Sequence, residues 1–475
     1  TVQRSPVTGN KRAYGYSWEE EKQIGAQADE QIQQQYGVYD DESLQNYVDN
    51  VAQDVLANSD MRGEDVEAMY RNTEFTFRVL DSPVVNAFAL PGGYVYVTRG
   101  LMANLRNEAQ LAVVIGHEIA HVAARHASQR AFEQQIGQLA LIGGAVAGQE
   151  LLGIPGQSIL NLGGQAAQLL FMKYSRDDES ESDKLGVEYA AKTNYEAAEG
   201  ADFFTTLKRL SDQSGQSIPT WASTHPDPSQ REQRIPQLAE KWREQGYEMN
   251  IENLDQYMNE IDNIVYGNNP RQGFTENGMF YHPDLEFKFP YPENWQLINT
   301  PTAVQIVNPD QNAIMIFQID SQNNSAQASV QEFLNQEGVN TVNRSSASNN
   351  GLRGYEAIAT AQTQQGAEVR IYLYSVEYDG NIYRFLTYTL ADQFETYSDT
   401  FIESSNGFDE LNDTGILNIQ PARLNVFRAN RTGSFQSFLP GNLPLDITPE
   451  EVAIANQVHL DDTIEEGTWI KIPRQ

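Results

Sequence analysis

Two histidines four residues apart, His117 and His121, have the residue type and spacing that most directly indicate chemistry. On a helix, four residues turn through about 400°, so the two imidazoles project about 40° apart from one face. This spacing suits two nitrogen ligands of one tetrahedral zinc ion. Glu118 lies about 100° around from His117, where it could reach a water at the metal without ligating it. The segment therefore predicts a hydrolytic site with one zinc per chain and Glu118 as its catalytic base.

A three-ligand site needs one more donor, and the chain contains no Cys to supply a thiolate. Glu179 and Asp183 are four residues apart and would share a helix face, whereas Glu181 lies about 200° around from Glu179. One acid of such a pair can bind the metal while the other accepts the N–H of a ligand histidine. A solvated acidic helix face explains the same residues equally well, so spacing alone leaves both interpretations open.

His126 is not favoured as the missing ligand. Residues 103–135 are predicted to form a single helix, on which His126 lies about 900° from His117 and therefore on the opposite face. We interpret it as a packed or capping histidine. Ala124 and Ala127 stand where a metzincin would have Gly and His, so that class is excluded.

The motif resembles the gluzincin family of metalloendopeptidases that includes the CAAX prenyl proteases, the HtpX heat-shock proteases and the BepA-type quality-control proteases. The resemblance covers about residues 20–245. It implies a mostly α, zincin-like catalytic domain with a small β-sheet, and Glu179 as the third zinc ligand. Ser182 stands where the family usually has Ala, a small departure. The resemblance rests on two segments, His117-Glu118-x-x-His121 and Ser175-Arg176-x-x-Glu179-x-x-x-Asp183.

The same resemblance implies an edge strand beside the active site, formed by Asn86, Ala87, Phe88 and Ala89. An edge strand offers free backbone groups to an extended peptide. An ordinary hairpin is the alternative interpretation.

A Thr-His-Pro sequence, with Arg231 as a supporting residue after it, is also similar to the family. The resemblance implies that His225 lies near the zinc, either as a reversible fourth ligand or as a donor to the oxyanion. Pro226 keeps His225 extended and outside a helix. A histidine that only ties a turn is the alternative.

Composition and charge limit the partners and the location. Of 475 residues, 65 are acidic and 32 basic, for a formal charge of −33, which argues against nucleic-acid binding. The longest apolar run, 139–148, is too short to span a membrane. The Gly-rich stretch 143–164 suits either a lid or close helix packing. The chain begins at Thr1, so we expect an export signal or lipid anchor to have been removed and the protein to lie in the periplasm or cell envelope.

The chain is predicted to be multidomain. Residues 1–262 form the catalytic domain, 263–275 a linker and 276–412 an α+β accessory domain with an antiparallel sheet, weakly similar to the PsbP/Mog fold. Residues 420–475 resemble a small βααβ LysM module. Its usual first turn is altered at 432–435, which favours a structural role over peptidoglycan binding.

These features together favour a zinc endopeptidase that acts on unfolded or misfolded polypeptides in envelope protein quality control. The alternative is a latent or non-proteolytic zinc scaffold, chaperone-like or tethered to peptidoglycan. The intact Glu118 favours the enzyme, because a purely structural zinc site needs no general base.

Overall fold

The computed structural model describes residues 1–141, 174–214, 221, 225, 230–363, 366–444 and 447–475. The Gly-rich stretch 143–164 and most of the apolar run 139–148 lie outside the described residues. The described residues form two compact units. The first contains the N-terminal half up to Asn268 together with Pro421–Gln475, and the second contains Asn269–Gln420.

The first unit is mostly helical, with a three-stranded sheet. Thr76–Leu80 runs parallel to the central strand Tyr94–Thr98, and Ala87–Leu90 pairs antiparallel on its other side, at one edge of the sheet. The longer helices of this unit are Trp18–Tyr36, Glu42–Ala57, Glu108–Ala124, His126–Leu141, Arg176–Lys192, Gly200–Ser214 and Arg231–Glu244, and shorter ones are Leu254–Glu260 and Pro449–Ala455.

Glu108–Ala124, which we call the histidine helix, lies at the centre of this unit. All of its residues are buried. Asn107 caps its start by accepting a hydrogen bond of 2.9 Å from the backbone N–H of Gln110. A helix that is apolar on all sides belongs in a core, so its few polar side chains must find partners there.

The prediction of one helix over 103–135 is wrong, because the chain turns at Arg125. Arg125 is in the left-handed conformation, with φ 60° and ψ 39°, and a new helix starts at His126. The buried guanidinium of Arg125 donates to Glu21 Oε1 at 2.8 Å through Nε and to the carbonyl of Tyr16 at 2.9 Å. The left-handed backbone at Arg125 ends the histidine helix, and these contacts hold the Arg125 side chain in place. Because His126 belongs to the next helix, the angle calculated along a single helix does not place it on the opposite face from His117.

Two glycines let the histidine helix touch Arg176–Lys192, which we call the carboxylate helix. A Cβ built on Gly186 would lie 2.7 Å from the backbone N of His117, and one on Gly116 would lie 2.9 Å from the carbonyl O of Gly186. Any larger residue at either position would force the helices apart. Ser175 starts the carboxylate helix with a capping box that involves Asp178.

The second unit is α+β. Its largest sheet has seven strands joined antiparallel, in the order 340–349, 352–362, 368–378, 381–390, 313–319, 303–307 and 296–299. The helices Ala326–Leu334 and Phe394–Asn406 pack on it, and a four-stranded sheet is formed by 409–410, 287–290, 279–282 and 274–276. The edge strand Asn340–Asn349 was not predicted, because it is polar and mostly exposed and has no apolar alternation. The broad prediction of a multidomain chain with helices and several sheets is confirmed.

The C-terminal segment is built into the first unit. Leu424, on the strand Arg423–Arg428, is buried in the unit's main core, and its backbone carbonyl accepts from the N–H of Asn263 at 2.8 Å. Lys471, on the antiparallel strand Trp469–Arg474, is fully buried and donates to the carbonyls of Ala103 and Leu105 at 2.8 and 2.7 Å. The segment therefore contacts the loop that leads into the histidine helix.

Among the described residues, no helix is long and apolar enough to cross a lipid bilayer.

Leu424→Ala should destabilise the first unit, because it removes apolar volume from a core that the rest of that unit shares. Burial of Leu424 predicts a loss of about 2–5 kcal/mol in the free energy of unfolding. Val342→Ala, at a position 51% exposed in the second unit, is the control and should change it by less than about 0.5 kcal/mol. Denaturant unfolding followed by tryptophan fluorescence measures both. Equal, small effects would contradict the placement of Leu424 in the core.

Candidate metal centre

Four side chains from separate parts of the sequence converge in the first unit. They are His117 and His121 on the histidine helix, Glu179 on the carboxylate helix, and His225. Each is at most 3% exposed. One donor atom from each lies within 4.8 Å of the others. The structure therefore brings together the three ligands and the fourth ligand expected from the sequence.

Five of the distances between these donor atoms are close to those between ligands that share one zinc ion. Nε2 of His117 lies 3.0 Å from Nε2 of His121 and 3.3 Å from Nδ1 of His225. Oxygens of Glu179 lie 3.0 Å from Nδ1 of His225, 3.4 Å from Nε2 of His121 and 3.5 Å from Nε2 of His117. With metal–ligand bonds of about 2.0–2.1 Å, tetrahedral ligands are about 3.3 Å apart. Imidazole nitrogen and carboxylate oxygen are also donors that zinc prefers, so the residues fit this metal.

The crossing of the histidine and carboxylate helices produces this convergence. His117 follows Gly116 directly, and Glu179 and Asp183 precede Gly186 by two turns and one turn on the same side of their helix. Because the glycine backbones touch, short side chains such as Glu and Asp reach the imidazoles across the interface.

Asp183 lies behind His117. Its Oδ1 is 2.9 Å from Nδ1 of His117, the ring nitrogen that faces away from the cluster. Its Oδ2 is 2.9 Å from Nε of Arg231 and also contacts Arg234. Burial raises the pKa of Asp183, but Arg231 and the hydrogen bond with His117 overcome this and hold it below its ordinary value. The carboxylate stays ionised and orients the imidazole.

Glu179 is held between the imidazoles and Arg231. Burial raises its pKa, but the nearby His225 and the hydrogen bonds from His117 and His121 hold it well below its ordinary value. Its Oε2 also contacts Arg231. Burial lowers the pKa of His121 well below the ordinary histidine value. An ionised carboxylate and a neutral imidazole are the forms that bind a metal.

Glu118 is buried beside the cluster and is not one of the four converging groups. Its Oε1 lies 3.7 Å from Nε2 of His225 and 3.4 Å from Nε1 of Trp221. The carboxylate therefore faces the ring nitrogen of His225 that is not among the four converging donors.

The predicted edge strand lies next to the histidine helix. Ala87, Phe88 and Ala89 belong to the strand Ala87–Leu90, which packs against that helix, and Asn86 precedes it and is buried. Within the part of the chain that the structure describes, no hydrogen bond or ion pair joins these four residues to the metal-binding side chains.

Three residues that the sequence analysis missed contact the site. Trp221 stacks on His225, with ring centroids 4.5 Å apart, and Tyr174 stacks on His121 at 4.0 Å. Arg234 contacts Asp183. Trp221 and Arg234 lie within four residues of the predicted site residues His225 and Arg231, a spacing that could have indicated that they contact the site. Nothing in the sequence indicates where the ring of Tyr174 points.

A protein-family model covers the part of the chain that contains the four converging residues. Residues 42–239 match the model of Peptidase family M48. This part of the chain is therefore similar to M48 peptidases. The family uses zinc, in agreement with the donor set, and the resemblance to a zinc metalloendopeptidase family predicted from the sequence is confirmed.

The curated relatives of this part of the chain are named as metalloendopeptidases or beta-barrel assembly-enhancing proteases. The chain is 27% identical over 244 residues to the mitochondrial metalloendopeptidase OMA1 of Schizosaccharomyces pombe, covering 50% of this chain and 65% of that one. It is 32% identical over 165 residues to the beta-barrel assembly-enhancing protease of Escherichia coli, covering 34% and 33%. It is 29% identical over 198 residues to the protein of the same name from Yersinia pestis, and this match covers 40% of this chain and 38% of that one. These matches span less than two thirds of each relative.

Solved structures match the chain only weakly. The cyanobacterial PsbP of Synechocystis is 13% identical, with a TM-score of 0.24, and covers 29% of this chain and 91% of its own. The Ran-binding protein Mog1p of Saccharomyces cerevisiae is 11% identical, with a TM-score of 0.21, and the match covers 28% of this chain and 93% of Mog1p. These scores are too low to assign a fold.

Glu179→Ala should remove zinc from the first unit, because it deletes the one carboxylate ligand. Glu188→Ala is the matched control on the same helix. In the part of the chain that the structure describes, the only salt bridge of Glu188 is with Lys192. Metal analysis after dialysis should find about one zinc per chain in the wild type and the control and far less in Glu179→Ala. Full zinc content in Glu179→Ala would remove Glu179 from the ligand set.

Proposed function

We propose that this chain is a zinc-dependent endopeptidase of the cell envelope that cleaves peptide bonds in unfolded or misfolded proteins. The single observation that carries the proposal is the convergence of His117, His121, Glu179 and His225, with Glu118 3.7 Å from His225. A bound zinc ion would supply Lewis-acid polarisation of the attacking water and of the peptide carbonyl. The match of residues 42–239 to Peptidase family M48 and the names of the curated relatives support the same activity.

Glu118 would take a proton from the attacking water and deliver it to the leaving amine. Its burial keeps bulk water from competing for the proton. Asp183 would fix the orientation of His117 and thereby the direction of its Nε2 lone pair. Arg231 would hold both carboxylates, Glu179 and Asp183, in place.

The preference for unfolded substrates follows from the edge strand Ala87–Leu90. A substrate that pairs with a strand edge must itself be extended over several residues. Folded proteins rarely expose such a segment, whereas unfolded ones do. The beta-barrel assembly proteases among the relatives support an extracytoplasmic location in the periplasm or envelope.

His225 is proposed as a reversible fourth ligand. The Nδ1 atom of His225 lies next to the donor atoms of His117 and Glu179. A catalytic zinc site keeps one position open for water and substrate, whereas four protein donors converge here. His225 must therefore leave before the substrate binds, which makes it a brake on activity. Its other role, as a donor to the oxyanion, would be available once it has moved.

A zinc scaffold without proteolytic activity is the second candidate. A closed shell of four protein ligands is typical of structural zinc sites, and this observation favours it. Glu118 favours the enzyme, because a structural site gains nothing from a buried carboxylate beside the metal.

For the other parts of the chain, we propose that residues 276–412 are an accessory domain and that the LysM-like residues 420–475 are structural. The contacts of Leu424 and Lys471 with the first unit support the structural role.

Glu118→Gln should abolish hydrolysis while the protein still binds zinc. The amide keeps the shape of the side chain but cannot accept the proton, and loss of a general base costs about 10²–10⁴-fold in rate. The measurements are cleavage of an unfolded protein substrate and zinc content on the same preparations. A Glu118→Gln protein that cleaves at the wild-type rate would exclude Glu118 as the base, and a wild type that binds zinc but never cleaves would favour the scaffold.

His225→Ala should increase the rate on an unfolded substrate and leave zinc bound by the remaining three ligands. His459→Ala, which changes an exposed histidine of the C-terminal segment, is the control and should leave the rate unchanged. A fall of about 10–10³-fold with zinc retained would instead show that His225 stabilises the oxyanion. An unchanged rate and zinc affinity would contradict both roles.

A further inference from the structure

His126 lies directly behind one of the proposed zinc ligands. Its Nδ1 is 3.0 Å from Nδ1 of His121, and the two rings are nearly perpendicular, at 74°. On its other side, Nε2 of His126 is 3.2 Å from Oε2 of Glu181. Both imidazoles are almost completely buried. Glu181, His126 and His121 therefore form a line of hydrogen-bonding groups that ends at the metal-binding cluster.

In the zinc-bound state, the contact between the two imidazoles would fix where their protons are. Two ring nitrogens 3.0 Å apart form a hydrogen bond only if one carries a proton and the other a lone pair. Nε2 of His121 lies in the cluster, 3.0 Å from Nε2 of His117, and must present its lone pair there to bind a metal. The proton of a neutral His121 is therefore on Nδ1. It follows that Nδ1 of His126 accepts, and that the proton of His126 is on Nε2, facing Glu181.

We propose that His126 and Glu181 are positioning residues of the zinc site, with His126 accepting the Nδ1–H of His121 and Glu181 holding His126. The inference rests on the proposed function, because it assumes that His121 binds zinc. It gives the two histidine ligands different supports, since His117 has the carboxylate of Asp183 and His121 has a neutral imidazole. Such supports set the orientation and basicity of the ligand.

The surroundings leave Glu181 as the favoured partner of Nε2 of His126. Asp178 is the other nearby acid, but its Oδ1 is 3.9 Å from Nε2, and its Oδ2 is bound by Arg130 at 2.5 Å. The nearest arginine or lysine to Glu181 in the described part of the chain is Arg12, whose Nη1 lies 4.0 Å from Oε2 of Glu181. Ser182 Oγ is 3.4 Å from Nδ1 of His126, a longer contact than that of His121.

The turn at Arg125 makes this arrangement possible. On an uninterrupted helix His126 would point away from His121. The left-handed Arg125 ends the histidine helix. His126, the first residue of the next helix, can then place its ring against that of His121.

Zinc affinity of the full chain tests the inference, measured by competition with a chelator. His126→Leu should weaken zinc binding by about 10–100-fold, because the Nδ1–H of His121 loses its acceptor. His126→Asn places an amide oxygen near the position of Nδ1, so it should recover most of the affinity. A packing role predicts no such recovery. Glu181→Leu should weaken binding less than His126→Leu, since it acts through His126.

A second measurement reads the protons directly. In the zinc-loaded wild type, nitrogen NMR of the histidine rings should find the proton of His121 on Nδ1 and that of His126 on Nε2. A proton on Nδ1 of His126 would overturn the inference.

The outcomes separate this inference from the proposed function. His117→Ala serves as the control for the site itself. If the wild type fails to bind zinc, or if His117→Ala binds it as tightly, the zinc site is wrong and the inference falls with it. If His117→Ala loses zinc while His126→Leu keeps wild-type affinity, or if His126→Leu and His126→Asn weaken binding equally, only the role of His126 is overturned.

Discussion

The backbone contact between Gly116 and Gly186 is the constraint on which the candidate site depends. Helices that pack through larger side chains lie about 8–10 Å apart, and glycine on both sides permits a closer approach. The built Cβ positions show that there is no room for even a methyl group without displacing backbone atoms. Short acids on one helix and imidazoles on the other can therefore meet at bonding distance, with both helices kept rigid.

Burying this many ionisable groups is costly unless each finds a partner, and the structure supplies them in layers. Glu179 and Asp183 are paired with Arg231, and Asp183 also with Arg234. His117 is backed by Asp183, and His121 by His126. The inward nitrogens of three imidazoles and a carboxylate oxygen then face one another at distances that a single cation would satisfy. A protein that builds such a pocket gains stability when the metal binds, because binding to the native state alone shifts the folding equilibrium.

The local part of this design could be predicted from the sequence. The spacing of His117 and His121 fixes their common helix face, and that of Glu179 and Asp183 does the same, so the residue pattern alone identifies both pairs. The roles assigned to them stay predictions. The turn at Arg125 could not be predicted, because a left-handed arginine is intrinsically unfavourable and is held only by distant partners such as Glu21. The same error hid the contact between His126 and His121. The polar strand Asn340–Asn349 and the incorporation of Leu424 into the first unit likewise depend on tertiary contacts and not on local pattern.

The central claim is that His117, His121, Glu179 and His225 bind one zinc ion together, with His225 closing the site. Anomalous X-ray diffraction at the zinc absorption edge, on crystals of the full chain, tests it most directly. The account predicts one anomalous peak per chain, about 2.0–2.2 Å from Nε2 of both helix histidines, an oxygen of Glu179 and Nδ1 of His225. No peak at the cluster in zinc-saturated crystals, or a peak bound by other residues, would contradict it.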